Sequence, residues 1–171
     1  MCEEIRIYVA CLAAYNNGKL HGEWIDATQD LDDMQEQINQ MLSSSPEPDA
    51  EEYAIHDYEG FGGYGVSEYE GIQSVQEIAC FIEEYPELAG ELLNQFGGSL
   101  EDARKAMEES YSGCYKSLAD YAEELTDGTT DIPEHLQYYI DYERMGRDMA
   151  LSGDIYTIET AYDEVHIFWA H

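Results

Sequence analysis

A formal charge of −31 on 171 residues constrains this chain more than any other feature. Asp and Glu number 38 against 7 Lys and Arg, so the charged content of 26% is ordinary while its sign is not. The balance excludes a nucleic-acid binder working through basic patches and argues against anionic lipid headgroups as a partner. No stretch approaches about 18 consecutive apolar residues, so no membrane span is expected. The start, Met1-Cys2-Glu3-Glu4, lacks the basic flank and apolar run of a signal peptide, and a cytoplasmic protein is expected.

So acidic a chain has to be tested against disorder. Leu, Ile, Val and Phe make up 33 residues, 19% of the chain, which together with the charge meets the compositional flag for disorder. The 15 Tyr, 2 Trp and 6 Met stand against it, since they bury large areas and lie outside that flag. The apolar residues also recur with helical and strand periods. A folded protein with thin cores is expected, one that gains from dimerisation. The charge divides as −11, −10 and −10 over residues 1–58, 59–113 and 114–171. An acidic tail would concentrate it; this is a coat over the whole molecule.

Ile5, Ile7, Val9 and Cys11 alternate with Arg6, Tyr8 and Ala10 as a half-buried strand should. Asn16-Asn17-Gly18 supplies turn residues, and Gly22–Ala27 reads as a second strand with Trp24 on one face. Thr28 is the expected cap of a helix carrying Leu31, Met34, Ile38 and Met41 or Leu42, broken by Ser43–Pro48. Glu52–Tyr58 returns as a third strand. Ser74 and Glu77 have capping-box spacing before Val75, Ile78, Ala79 and Ile82. Pro86 opens a helix with Leu88, Leu92, Leu93 and Phe96, stopped by Gly97. Ser99 starts another through Ala103, Ala106 and Met107, ending before Gly113. Helices over Ser117–Thr126 and Pro133–Met145 follow, closed by Asp127-Gly128 and by Gly146. Ile155–Glu159 and Val165–Trp169 form a final hairpin around Ala161-Tyr162-Asp163.

The expected class is α+β, an elongated chain of three small sub-domains without internal repeat. These are a small antiparallel sheet plus one helix over 1–59, a helical bundle over 60–113, and helices plus an antiparallel hairpin over 114–171.

The chemical motifs are weak. Cys2, Cys11, Cys80 and Cys114 form no CxxC, and His21, His56, His135, His166 and His171 form no HExxH or HxxxH pair, so reduced structural thiols are expected. Gly60, Gly62 and Gly65 spell GxGxxG after a strand. The next helix is expected only near Ser74, and Asp57, Glu59, Glu68 and Glu70 would repel a phosphate, so a flexible connection is the reading. Asp127-Gly128-Thr129-Thr130-Asp131 fails the calcium-loop pattern. With 38 carboxylates, a glycosidase-like pair arises at any spacing by chance. No Ser or Cys with His has a recognisable local signature. Neither an enzyme, a cofactor nor a metal is expected.

The carboxylates themselves are the strongest signal. Asp120, Glu123, Glu124 and Asp127 occupy i, i+3, i+4 and i+7 of one helix; Glu101 and Asp102 recur as Glu108 and Glu109. Asp30, Asp33 and Glu36 follow the first helix, and Glu83, Glu84, Glu87 and Glu91 the middle. Neighbouring like charges at such spacings each cost roughly 0.2–0.5 kcal/mol when unpaired. A merely solvated face would mix signs, while adaptation to high salt also produces an acidic coat. B-DNA carries one charge per about 1.7 Å of axis, so 31 charges at that density cover roughly 53 Å, about 16 base pairs. Helical carboxylates at i and i+4 lie about 6 Å apart along the axis, on the phosphate scale. The fifteen carboxylates named form the expected surface of a DNA mimic, with a protein built to hold duplex as its partner.

Tyr139-Ile140-Asp141-Tyr142, followed by Gly146-Arg147-Asp148 and Leu151-Ser152-Gly153, resembles the signature of ArdA-type antirestriction proteins. Ile7-Tyr8-Val9-Ala10 with Tyr15-Asn16, Gly18 and Gly22-Glu23-Trp24 is similar to the same family, as is Tyr53-Ala54-Ile55-His56-Asp57-Tyr58-Glu59. The likeness covers nearly the whole chain. It implies three domains, a homodimer through the C-terminal one, and mimicry of bent B-form DNA. It also implies occupation of the DNA site of type I restriction–modification enzymes, on behalf of mobile genetic elements. The segments Gly60–Gly65 and Ser43–Asp49, and the ending Phe168-Trp169-Ala170-His171, fall outside the motif.

Within the motif, Arg147 is expected to pair with Asp141 or Asp148 beside the dimer contact. Gly146 and Gly153 are expected at positive φ, ending elements. Tyr138, Tyr139 and Tyr142 are expected to pack with ring faces inward. The alternative function is an acidic adaptor or chaperone for basic DNA- or RNA-binding proteins.

Overall fold

The computed structural model describes residues 4–170. The Met1-Cys2-Glu3 start and His171 lie outside the described residues, so the readings of Cys2 and His171 are not taken further. The fold is α+β, with helices and two three-stranded antiparallel sheets. Contacts divide it into two compact units, one running to Leu100 and one starting at Glu101.

The first unit is built on a sheet ordered β2-β1-β3, from β1 (Arg6–Cys11), β2 (Gly22–Asp26) and β3 (Tyr53–Glu59). Ile7, Val9 and Cys11 are fully buried, as the alternation requires. The link between β1 and β2 is a short helix α1 (Leu12–Asn16) followed by Gly18 at φ +77. α2 (Leu31–Ser43) lays Met34, Ile38 and Met41 on the sheet. Burial of each contributes about 1.5–3 kcal/mol. Thr28 is not its cap: the Asp26 carboxylate accepts from the Thr28 amide at 2.8 Å and hydroxyl at 2.7 Å, and α2 starts after Asp30.

α3 (Ile72–Glu84) begins after Gly71, so Ser74 and Glu77 lie inside it and form no capping box. The Ser74 hydroxyl instead donates to Glu70 at 3.4 Å, and Glu77 accepts from Gln73 at 3.2 Å. α4 (Ala89–Gln95) starts three residues after Pro86, which stands in the preceding turn, and ends at Gly97 with φ +63. The GxGxxG stretch is a packed loop rather than a free connection. Phe61 is buried, Asn94 donates to the Gly63 carbonyl at 3.1 Å, and a Cβ on Gly90 would stand 1.9 Å from the Gly62 oxygen. Gly60, where a Cβ would meet the Glu4 carbonyl oxygen at 2.5 Å, and Gly90 serve close backbone packing.

The second unit begins within α5 (Leu100–Lys105), which continues as one π-helical turn (Ala106–Ser110). Its sheet is ordered β4-β6-β5, from β4 (Tyr111–Tyr115), β5 (Ile155–Ala161) and β6 (Glu164–Trp169). β4 replaces the helix end expected before Gly113, and pairs with β6 across the expected 113/114 segment border. α6 (Leu118–Thr129) runs through Asp127-Gly128, which do not close it; the stretch compared with a calcium loop is largely its last turn. The single helix expected over Pro133–Met145 is two elements: a 3-10 helix (Glu134–Tyr139), then α7 (Tyr142–Leu151). Tyr121, Ile155, Val165 and Ile167 form the core between sheet and helices.

Candidate carboxylate surface

All fifteen carboxylates of the expected surface are solvent-exposed. Periodicity explains why: each lies off the apolar stripe of its helix or in a turn, so the folding that buries the stripe turns the acid outward. Asp33, Glu91, Glu101, Asp102 and Asp120 sit in first helical turns, where the helix dipole favours a negative charge. Glu83 and Glu84 close α3, and Asp127 lies in the last turn of α6, where the dipole opposes them. Stability alone does not select acids there.

Cations do not neutralise this set through the close ion pairs of the first unit. Arg6 pairs with Glu59 at 2.8 Å and Lys19 with Glu47 at 2.9 Å, both acids outside the fifteen. The Lys19 hydrogen bond holds the Glu47 carboxyl below its usual range. Arg6 also stands 4.5 Å over the Trp24 ring.

Glu124 of the set is tied into the fold. The Tyr115 hydroxyl donates to Glu124, and that bond foremost, then burial and the carboxylate charge, raises the Tyr115 phenol to about 12. Tyr142 is raised by burial and then by the charges of Asp127 and Glu123. Sequence periodicity places Glu124 on its helix but gives no sign of its phenol partner, because Tyr115 comes from a strand that the sequence does not reveal.

The 139–153 motif turns out to be scaffold more than charge. Asp141 caps α7, accepting from the Arg144 amide at 3.0 Å. Gly146 is not a stop: it is buried within α7, and a Cβ there would meet the Leu118 carbonyl oxygen at 2.8 Å. It is glycine because α6 and α7 cross there. Gly153 has φ +85, as expected after α7. Arg147 is exposed and makes no ion pair with Asp141 or Asp148; it borders a shallow depression with Ser117, Leu118, Ala119 and Glu143. Tyr138 and Tyr139 are 93% and 83% exposed, so their rings do not pack inward, while Tyr142 is half-buried. Arg144 and Asp148 are exposed on the same helix.

Among the described residues no three His, Cys, Asp or Glu side chains converge as metal ligands, and no helix is long and apolar enough to cross a membrane. Cys11 is buried, but Cys114 is exposed on an edge strand and so is not a core thiol.

A family model described as Antirestriction protein (ArdA) matches residues 7–164 of the chain. No curated protein matches it.

Proposed function

The chain belongs to the ArdA antirestriction family, and from that premise we propose that it acts by presenting its carboxylates in place of DNA phosphates. Membership implies antirestriction through inhibition of type I restriction enzymes. The mimicry reading says how: the exposed acids occupy the groove in which the enzyme holds duplex. The observation that carries it is the exposure of all fifteen carboxylates, some at helix ends where the dipole opposes them.

The protein accordingly needs no catalytic step, cofactor or metal. It works in the cytoplasm of a cell receiving a mobile element, protecting the incoming DNA. Self-association through the second unit completes the reading. The outward Tyr138, Tyr139 and Leu151 and the unpaired Arg147 give that unit a surface that is not purely anionic.

The direct cellular test is transformation of a type I-restricting host with unmodified plasmid. Expression of this protein is expected to raise recovery toward that of a non-restricting host. Unchanged recovery with soluble protein present would defeat the reading.

A further inference from the structure

His166 and Ser110 are the buried polar side chains among the described residues, and His166 is 7% exposed. His166 stands on the central strand β6, opposite Cys114 of β4 and Ile158 of β5. Both ring nitrogens are engaged. Nδ1 lies 2.7 Å from the Tyr111 hydroxyl and Nε2 lies 3.1 Å from Thr160 Oγ1. Thr160 in turn donates to Glu164 Oε2 at 2.9 Å. A hydrogen-bonded chain therefore joins all three strands of the second sheet.

The end of this chain fixes its direction. An ionised carboxylate only accepts, so the Thr160 hydroxyl hydrogen points at Glu164. Thr160 Oγ1 must then accept from His166, which places the ring hydrogen of the neutral histidine on Nε2. Nδ1 is left as an acceptor, and Tyr111 donates to it. When the ring takes a proton from solvent, that proton goes to Nδ1. The Tyr111 oxygen accepts from Nδ1–H, its own hydrogen turns away from the ring, and the Thr160–Glu164 arm keeps its direction. Every ring nitrogen has a partner in both charge states.

We propose that Tyr111, His166, Thr160 and Glu164 form a proton-adaptive latch, which braces the second sheet in either charge state of the ring by reversing one hydrogen bond. The titratable groups on the surrounding strands are Tyr111, Cys114 and Tyr115 from β4, Tyr156 and Glu159 from β5 and Glu164 from β6; the π-helical turn packed against β4 and β6 brings Glu108 and Glu109. This placement matters in so acidic a chain. The latch lets His166, the buried histidine among the described residues, change charge without breaking the sheet.

The test uses the full chain, with nitrogen NMR of the His166 ring and thermal unfolding, at about pH 8 and about pH 5. The wild type is expected to show the Nε2–H tautomer at the higher pH. Glu164→Gln, whose amide can donate to Thr160, is expected to mix the two tautomers. Tyr111→Phe has no acceptor for Nδ1–H. Its melting temperature should respond less favourably to acidification than that of the wild type, by several degrees. A wild-type Nδ1–H tautomer, an unchanged tautomer in Glu164→Gln, or the same acid response in Tyr111→Phe would each overturn the latch. Should Tyr111→Phe fail to fold, the two tautomer readings still decide.

Discussion

The two compact units use their few cations in opposite ways. Residues 1–100 carry 21 acids and 2 bases, and both bases, Arg6 and Lys19, are held in ion pairs. Residues 101–171 carry 17 acids and 5 bases; two of these, Arg144 and Arg147, lie exposed on α7 near the exposed Leu151. The charge that the first unit shows solvent is therefore nearly single-signed, which suits a basic partner. The second keeps a face of mixed sign, with Arg144 and Arg147 on α7, which suits a second kind of contact. Charge count alone hides this difference; what the cations touch reveals it.

The largest expected effect sets one buried glycine against another. Gly90→Ala forces a Cβ to 1.9 Å from a backbone oxygen and should destabilise the first unit by about 3 kcal/mol or more. Gly146→Ala meets its carbonyl at 2.8 Å, and a small relative movement of α6 and α7 relieves it, so about 1–2 kcal/mol is expected in the second unit. Denaturant unfolding of each variant ranks them, and the reverse order would show that the loop on α4 yields more easily than the helix crossing.

Binding comes next. Neutralising Glu83, Glu84, Glu87 and Glu91 together removes four exposed charges from the first unit. At about 0.5 kcal/mol each, affinity for a type I enzyme should drop by about 2 kcal/mol, roughly thirtyfold. Neutralising Asp120, Glu123 and Asp127 in the second unit should cost a similar amount per charge in the same titration. A loss confined to one unit would localise the mimic surface there and end the distributed account.

The cations give a smaller contrast. Arg6→Ala loses both the Glu59 pair and the Trp24 contact and should cost about 1 kcal/mol, whereas Arg147→Ala should leave monomer stability unchanged. An Arg147 variant that unfolds more readily would require an internal partner for that side chain. The smallest effect is Tyr115. Its phenol is raised from 10.0 to about 12, so the neutral form is favoured in the fold. The stability it adds is complete below the unfolded value and fades as pH rises from 10.0 to about 12. Glu124→Gln should bring the phenolate absorbance in at lower pH, with little effect on binding.

Residues with an unambiguous period were legible from sequence. Ile7, Val9 and Cys11 alternate into a strand, and Met34, Ile38 and Met41 recur into a helix face. Tyr111-Ser112-Gly113-Cys114-Tyr115 was not legible as β4, because a glycine interrupts it and its buried partners lie fifty or more residues away on β6. Glycine misled twice, at Gly128 and Gly146. A glycine that ends a helix and one that lets two helices touch look the same in a single sequence, and only the Leu118 carbonyl tells them apart. The break between Tyr139 and Tyr142 carries neither glycine nor proline; it is set by Asp141 capping the helix that follows. The carboxylates were the most legible part of the site, since exposure follows from lying off an apolar stripe.

The central claim, that the exposed carboxylates stand in for DNA phosphates, is tested most directly by competition. Labelled duplex bound to a purified type I restriction enzyme is titrated with this protein over a series of salt concentrations. The account predicts full displacement of the duplex at low salt, with an affinity that falls steadily as salt rises because many charge contacts are screened together. An enzyme that binds this protein and DNA at the same time, or an inhibition indifferent to salt, would contradict it.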